Sequence, residues 1–149
     1  MPGNLYNIFY TDDDADDQEV FRDIVAEINE DIYIFTQSNG SELVDLLKNP
    51  PPSPHLIFLD LNMPVKNGYE VLREIRHQEG FKDYPVIIFS TSTDEETIAL
   101  TKTLGATLYI SKPGSYNDLK RILREVLAID WEQYKPTNEN FVYRGYIAP

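Results

Sequence analysis

The feature that most restricts the fold of this sequence is a regular alternation of short apolar runs with segments of helical periodicity. The run Leu56–Leu59 (LIFL) is apolar on both faces, as a strand in the middle of a parallel sheet has to be. In contrast, Tyr116–Leu127 repeats its leucine, isoleucine and valine residues along one face of a helix. Strictly alternating strands and helices indicate βαβ units, whose right-handed crossovers give a doubly wound α/β domain with a parallel sheet.

The pattern predicts five strands and five helices. The strands cover residues 5–10, 32–36, 55–60, 85–90 and 107–111, and the helices cover residues 15–29, 41–48, 69–78, 94–104 and 116–127. We assign residues 1–128 to one domain and residues 129–149 to a tail, with no separate output domain. The tail keeps five aromatic side chains among polar ones: Trp131, Tyr134, Phe141, Tyr143 and Tyr146. We therefore expect the tail to dock onto the domain, with binding to a partner protein as the alternative.

Composition excludes several classes of function. With a formal net charge of −12, the chain lacks the excess positive charge that binds nucleic acids, and anionic membranes repel it. The absence of cysteine removes thiolate metal sites and cysteine nucleophiles, and two histidines, His55 and His77, do not suggest a histidine-rich zinc site. No apolar run approaches the ~20 residues of a membrane span, and the N-terminus has no signal-peptide pattern. We therefore expect a cytoplasmic protein with no direct nucleic-acid or membrane contact.

Polar residues follow several of the predicted strands. Asp12 and Asp13 end the first strand, Asp60 the third, Ser90 the fourth, and Lys112 the fifth. Because ligands bind at the carboxyl ends of the strands in such sheets, we expect these side chains to meet. Hard oxygen ligands without histidine or cysteine favour Mg²⁺, with Mn²⁺ as the second choice. The pattern therefore predicts a divalent-cation site formed by the three aspartates.

These residues resemble the receiver domain of two-component response regulators. The resemblance covers about residues 5–127 and implies a flavodoxin-like (βα)5 fold with strand order 2-1-3-4-5. Four motifs carry it, in order and at the expected strand ends: IFYTDDD at 8–14, LIFLDLNMP at 56–64 with Gly68, PVIIFST at 85–91, and YISKP at 109–113 after Gly105 and Ala106.

The resemblance implies a role for each residue of the acidic site. Asp60 would accept a phosphoryl group from a phosphohistidine of a sensor histidine kinase or a histidine phosphotransfer protein. Asp13 would bind Mg²⁺ directly, Asp12 mainly through water, and Asn62 through its backbone carbonyl.

The resemblance also implies a switch. Ser90 would move to bond the phosphoryl oxygen, Lys112 would pair with the phosphoryl group or with Asp60, and Tyr109 would change rotamer. The peptide bond between Lys112 and Pro113 is expected to be cis, an arrangement found mainly before proline. The fourth helix, fifth strand and fifth helix would form the face that binds a downstream protein or a second copy. Thr11, Ser90 and Thr91 depart from the usual residues of the family, which bears on switching amplitude and phosphoryl lifetime.

Other functions fit parts of the sequence. A haloacid-dehalogenase-like Mg²⁺ phosphatase needs a second aspartate two residues after the nucleophile, where this chain has Asn62. A calcium loop starting at Asp12 would need glycine at Asp17 and glutamate at Asp23. A pseudo-receiver that is never phosphorylated remains an alternative, although all five strand-end residues are present. We predict a stand-alone response regulator with at most self-catalysed phosphorylation and dephosphorylation.

Overall fold

A five-stranded parallel sheet forms the centre of the protein, in a computed structural model that describes residues 6–143. The strand order is 2-1-3-4-5, so the predicted doubly wound, flavodoxin-like fold is confirmed. Leu5 and Tyr146, which the sequence assigned to the first strand and the tail, lie outside the described residues. The elements are β1 (Tyr6–Thr11), α1 (Ala15–Ile28), β2 (Ile32–Gln37), α2 (Gly40–Lys48), β3 (Leu56–Leu59), α3 (Gly68–His77), β4 (Val86–Ser90), α4 (Glu95–Thr103), β5 (Leu108–Ser111) and α5 (Tyr116–Leu127).

Two apolar cores lie on the two faces of this sheet. Because successive side chains of a strand point to opposite faces, β1 sends Ile8 and Tyr10 into one core and Phe9 into the other. The first core is closed by α1 and α5, and the second by α2 and α3. With helices on both faces, ligands of such sheets bind at the carboxyl ends of the strands. We call these ends, with the loops that follow them, the open edge of the domain.

Each helix begins at a residue whose side chain accepts hydrogen bonds from the first helical turn. These caps satisfy amide groups that the helix itself leaves without partners, and they fix the loops that join the strands to the helices. Asp14 is the cap of α1 and accepts hydrogen bonds from the amides of Asp16 and Asp17, so part of the acidic run starts a helix. The five caps are Asp14, Asn39, Asn67, Asp94 and Ser115.

The described part of the tail packs back onto the domain. Trp131 is 6% exposed and Phe141 is 3% exposed. Val142 forms an isolated parallel bridge with Tyr109 of β5. The predicted docking is therefore seen for the tail as far as Tyr143. Within residues 6–143, no helix combines the length and the apolar character that crossing a bilayer requires.

Candidate metal centre

Three carboxylates meet at the open edge of the sheet. Asp12 and Asp13 follow β1, and Asp60 follows β3, which pairs directly with β1. The amide of Asp60 donates to the carbonyl oxygen of Thr11 (3.0 Å), which holds the two strand ends side by side. One carboxylate oxygen of each aspartate lies within 4.8 Å of the other two. The structure thus brings together the three side chains that the sequence assigned to a metal.

Hydrogen bonds from both ends of the chain fix the carboxylate of Asp12. Its Oδ2 accepts from the hydroxyl of Tyr10 (2.8 Å) and from Nζ of Lys112 (2.7 Å), and its Oδ1 accepts from the amide of Asp14 (3.0 Å). Asp12 is only 1% exposed. Burial and the neighbouring Asp12 raise the pKa of Tyr10, so its hydroxyl remains a donor. The sequence did not single out Tyr10, because its alternation in β1 assigns it to the core and says nothing of its hydroxyl.

Asp60 is a buried carboxylate whose charged form is destabilised by its surroundings. Burial raises its pKa to about 6, the charge of Lys112 lowers it, and the charge of Asp12 raises it. Its Oδ1 accepts a hydrogen bond from the amide of Leu61 (2.8 Å). Because the charged form is destabilised here, a cation beside these oxygens would be favoured, and it would in turn stabilise the carboxylate.

Lys112 contacts the edge of the cluster and not Asp60. Its Nζ lies 2.7 Å from Asp12 Oδ2 and 3.1 Å from Asp17 Oδ2. Burial tends to lower the pKa of Lys112, but the hydrogen bond to Asp12 and the charge of Asp60 outweigh burial, and the pKa is raised. Direct pairing with Asp60, one of two predicted partners, is therefore not present. The sequence analysis did not predict that Asp17, in the first turn of α1, would pair with this lysine.

The predicted cis bond between Lys112 and Pro113 is wrong. The cis bonds found among the described residues join Pro50 to Pro51 and Pro51 to Pro52. Before proline the trans form is favoured by about 0.5–1 kcal/mol. The amide of Lys112, which precedes that bond, donates to the carbonyl of Ser90 (2.7 Å), so pairing between β4 and β5 positions the lysine.

Ser90 and Tyr109 are linked by hydrogen bonds to the same residue, Ser92. Ser90 is the last residue of β4 and is fully buried, and its Oγ accepts from the amide of Ser92 (3.3 Å). The hydroxyl of Tyr109 donates to the carbonyl oxygen of Ser92 (2.9 Å). Burial raises the pKa of Tyr109, and this effect outweighs the hydrogen bonds with Ser90 and Ser92, which lower the pKa. The two predicted switch residues therefore share the start of the loop between β4 and α4.

The donor set fits a small hard cation. Asp12, Asp13 and Asp60 offer only oxygen atoms, which Mg²⁺ and Mn²⁺ prefer, and Asp13 is exposed to water as a partly hydrated ion requires. Asn62 lies two residues beyond Asp60 with an exposed side chain, which leaves its backbone carbonyl as its predicted contribution. Lys112 occupies one side of Asp12 and does not bridge the three carboxylates.

A second concave region lies at the opposite ends of the strands. This cleft has a volume of about 880 Å³ and is lined in part by Tyr6, His55 and Trp131. His55 stacks on Tyr6 with ring centroids 4.9 Å apart and accepts the amide of Asn7 at Nδ1 (3.0 Å), which gives it a structural role. We assign the chemistry to the acidic edge, because the carboxylates and the lysine converge there.

Comparisons with known proteins agree with this geometry. Residues 8–124 match the family model "Response regulator receiver domain". The probable C4-dicarboxylate response regulator DctR of Bacillus subtilis (strain 168) is 33% identical over 135 residues, which cover 91% of this chain and 56% of DctR. The chain thus spans little more than half the length of this curated relative.

Two solved structures extend the comparison. The crystal structure of the phosphorylated cyanobacterial phytochrome response regulator RcpA has a TM-score of 0.76 and 30% identity, covering 82% of this chain and 91% of RcpA. The Mn²⁺-bound form of response regulator Rcp1 has a TM-score of 0.76 and 25% identity, covering 89% of this chain and 99% of Rcp1.

Receiver domains are signalling proteins that bind Mg²⁺ or Mn²⁺ at an acidic pocket and interact with sensor kinases and downstream targets. The strand order, the clustered aspartates and the match over residues 8–124 all support one assignment: this chain belongs to the response regulator receiver domain family.

Proposed function

We propose that this chain is a response regulator receiver that accepts a phosphoryl group on Asp60 in a reaction dependent on Mg²⁺ or Mn²⁺. The observation that carries the proposal is the cluster of Asp12, Asp13 and Asp60, whose oxygens lie within 4.8 Å of one another beside Lys112. Phosphoryl transfer needs positioned charge more than covalent assistance from the protein. This cluster offers both a nucleophilic carboxylate and the ligands for a charge-neutralising ion.

The proposed reaction exchanges one bond to phosphorus for another. A carboxylate oxygen of Asp60 attacks the phosphorus of a phosphohistidine on a sensor histidine kinase or a phosphotransfer protein. The phosphorus–nitrogen bond breaks, its electron pair returns to the imidazole, and an acyl phosphate forms on Asp60. A divalent ion held by the three aspartates and the carbonyl of Asn62 would neutralise negative charge on the transferred group.

Two further residues act on the phosphoryl group in this proposal. Lys112 supplies a positive charge, and it has to leave Asp12 or Asp17 before it can pair with a phosphoryl oxygen. Ser90 ends β4 beside the site, and its hydroxyl would bond the phosphoryl group and so bias the position of Tyr109. The protein would show at most self-catalysed phosphorylation and dephosphorylation.

The same proposal assigns the partners. Residues 1–128 would form the receiver, and residues 129–149 would form an aromatic-containing tail after it. The likeness to the phosphorylated form of RcpA supports a phosphoryl donor, for which we propose a sensor kinase. The proposal places this partnership, and the later contact with a downstream protein, in the cytoplasm. Homodimerisation through α4, β5 and α5 belongs to this proposal. Asn62 disfavours the phosphatase alternative, because an amide cannot serve as the general acid and base that turnover requires.

Incubation with acetyl phosphate and Mg²⁺, followed by intact mass measurement, tests the proposal. We expect a gain of one phosphoryl group that is abolished by EDTA and by Asp60→Asn. Asp31→Asn is the matched control, because Asp31 is an exposed aspartate in the turn before β2. Phosphoryl uptake by Asp60→Asn equal to that of the wild type would show that the acceptor is wrongly assigned.

A further inference from the structure

The outer edge of β5 is covered by the chain's own tail. As the last strand of the sheet, β5 offers main-chain hydrogen-bonding groups to any extended segment. The amide of Tyr109 donates to the carbonyl of Phe141 (2.8 Å), and the amide of Tyr143 donates to the carbonyl of Tyr109 (2.9 Å). These two bonds place Val142 opposite Tyr109 in a parallel bridge. The tail therefore acts as a very short sixth strand.

The tail also passes from one core of the domain to the other. Trp131, just after α5, belongs to the core closed by α1 and α5. Phe141 belongs to the opposite core and packs on Tyr109, with ring centroids 6.5 Å apart and a 50° angle between the rings. The segment between these aromatic residues thus wraps around the edge of β5.

Specific hydrogen bonds shape the wrapped segment. The amide of Thr137 donates to Oδ1 of Asn140 (2.6 Å), and the amide of Asn140 donates to Oγ1 of Thr137 (3.2 Å). Beyond the bridge, the hydroxyl of Tyr143 donates to Glu125 of α5 (2.7 Å). The turn delivers Phe141 to β5, and the tyrosine ties the far end to the neighbouring helix.

Tyr109 connects this cover to the phosphorylation site. Its main chain pairs with the tail, its ring packs on Phe141, and its hydroxyl bonds the carbonyl of Ser92. The amide of Ser92 in turn bonds Ser90. Because packed interiors rearrange in discrete steps, a movement of Ser90 or of the Tyr109 ring alters the contacts that hold Phe141.

We propose that the β5 edge is a strand-binding surface, that residues 140–143 cover it as a tethered competitor, and that phosphorylation of Asp60 releases them. The vacated edge presents the amide and carbonyl of Tyr109 and the space that held Phe141. It fits an extended segment that runs parallel to β5 and inserts an aromatic side chain. This inference rests on the proposed function of Asp60.

Hydrogen exchange in the full chain tests the release. With acetyl phosphate and Mg²⁺, we expect the amides of Tyr109 and Tyr143 to exchange about tenfold faster, while core amides such as that of Leu72 are unchanged. Intact mass is recorded on the same samples. A full mass gain with unchanged exchange at both tyrosines would overturn the inference and leave the proposed function standing. No mass gain would overturn the proposed function, and the inference with it.

Phe141→Ala provides an independent test of the coupling. Loss of the ring should speed exchange at Tyr109 and Tyr143 without phosphate. Since coupling between two sites is reciprocal, Phe141→Ala should also raise the phosphorylated fraction at limiting acetyl phosphate, by up to about tenfold. Tyr33→Ala, on the exposed face of the opposite edge strand, is the control. A phosphorylated fraction equal to that of the control would contradict the coupling.

A peptide with the sequence of residues 137–143, TNENFVY, tests the strand-binding surface itself. The peptide should bind the phosphorylated full chain about tenfold more tightly than the unphosphorylated chain, because the tail no longer competes. The same peptide with alanine at the phenylalanine position should lose this difference. Equal binding of TNENFVY to both forms would overturn the assignment of the edge as a strand-binding surface.

Discussion

At the scale of the residue, the surroundings make three aspartates of one cluster chemically different. Asp13 is exposed to water, so it can meet a hydrated ion first. Asp12 is buried but held by Tyr10 and Lys112, which stabilise its charge. Asp60 is 7% exposed, and burial raises its pKa to about 6. Asp60 therefore gains most from a bound cation, and it is the carboxylate that we assign as the phosphoryl acceptor.

Tyr10→Phe should weaken metal binding more than it weakens the fold. The change removes one hydrogen bond to Asp12 at nearly constant volume, so we expect about 1 kcal/mol lower stability in urea. Groups that orient a metal ligand commonly matter more for the metal, and we expect about tenfold lower Mg²⁺ affinity by calorimetry. Tyr116→Phe is the control, since it removes a tyrosine–carboxylate hydrogen bond, to Glu27, on the surface. Unchanged Mg²⁺ affinity in Tyr10→Phe would refute the positioning role.

Lys112→Ala should separate metal binding from phosphoryl transfer. The lysine now bonds Asp12 and Asp17, so its removal frees a carboxylate oxygen, and Mg²⁺ affinity should hold or rise. Phosphoryl uptake should fall at least tenfold, because one of the charges that stabilise the transferred group is lost. Lys120→Ala, which breaks a surface ion pair with Glu27, should change neither quantity. A lysine whose loss abolishes Mg²⁺ binding would contradict this division of roles.

The sequence could locate the acidic site but not its internal contacts. Asp12, Asp13 and Asp60 were predictable because each follows a buried apolar run, and parallel strands end at one edge of the sheet. The pairing of Lys112 with Asp17, across 95 positions of chain, depends on where α1 begins relative to β5. Side-chain direction at that distance follows from the packed fold and not from spacing. The isomer of the bond before Pro113 was likewise not encoded in its two residues.

At the scale of the element, strands and helices differ in how far local pattern decides them. The predicted bounds of α5 are correct, because its apolar face is regular and Ser115 caps its start. The strands were predictable from their apolar runs, and their observed ends differ from the predicted ones by at most one residue. The isolated bridge at Val142 could not be predicted, since the few residues around it carry no periodicity. It forms only because the edge of β5 is beside it.

Gly68→Ala should displace the loop that carries Asp60. A methyl group at Gly68 would overlap the main-chain oxygen of Asp60 and lie 2.8 Å from Cα of Leu61, so the backbone has to shift. We expect a loss of about 1–3 kcal/mol in stability, as for other overpacked sites, together with slower phosphoryl uptake. Gly114→Ala is the matched control, because its methyl group would meet nothing within 4 Å. Equal uptake by the two variants would show that the close approach at Gly68 does not position the site.

At the scale of the whole molecule, cations can stabilise the fold in two ways, by screening the net negative charge and by binding at the acidic site. A net charge of −12 means that any added salt lessens self-repulsion and stabilises the fold. A specific site adds a further effect, because an ion that binds only the folded chain shifts unfolding by mass action. The cluster at the end of β1 and β3 is the place where these two effects differ, since its three carboxylates repel one another at short range.

Thermal unfolding of the wild type and of Asp60→Asn should separate the general effect of salt from specific binding of Mg²⁺. Mg²⁺ should raise the Tm of the wild type beyond that in NaCl of matched ionic strength, and Asp60→Asn should lose this excess. In EDTA at pH 7, Asp60→Asn should be the more stable protein by about 1 kcal/mol or more, which is roughly 2–4 °C in Tm. A pKa raised from 3.8 to about 6 means that the penalty of the charged carboxylate is absent below pH 3.8 and complete once the pH has passed about 6. The advantage of Asp60→Asn should therefore shrink as the pH falls from 7 to 4. An equal excess stabilisation by Mg²⁺ in both proteins would show that the ion acts on the charge of the whole surface and not at Asp60.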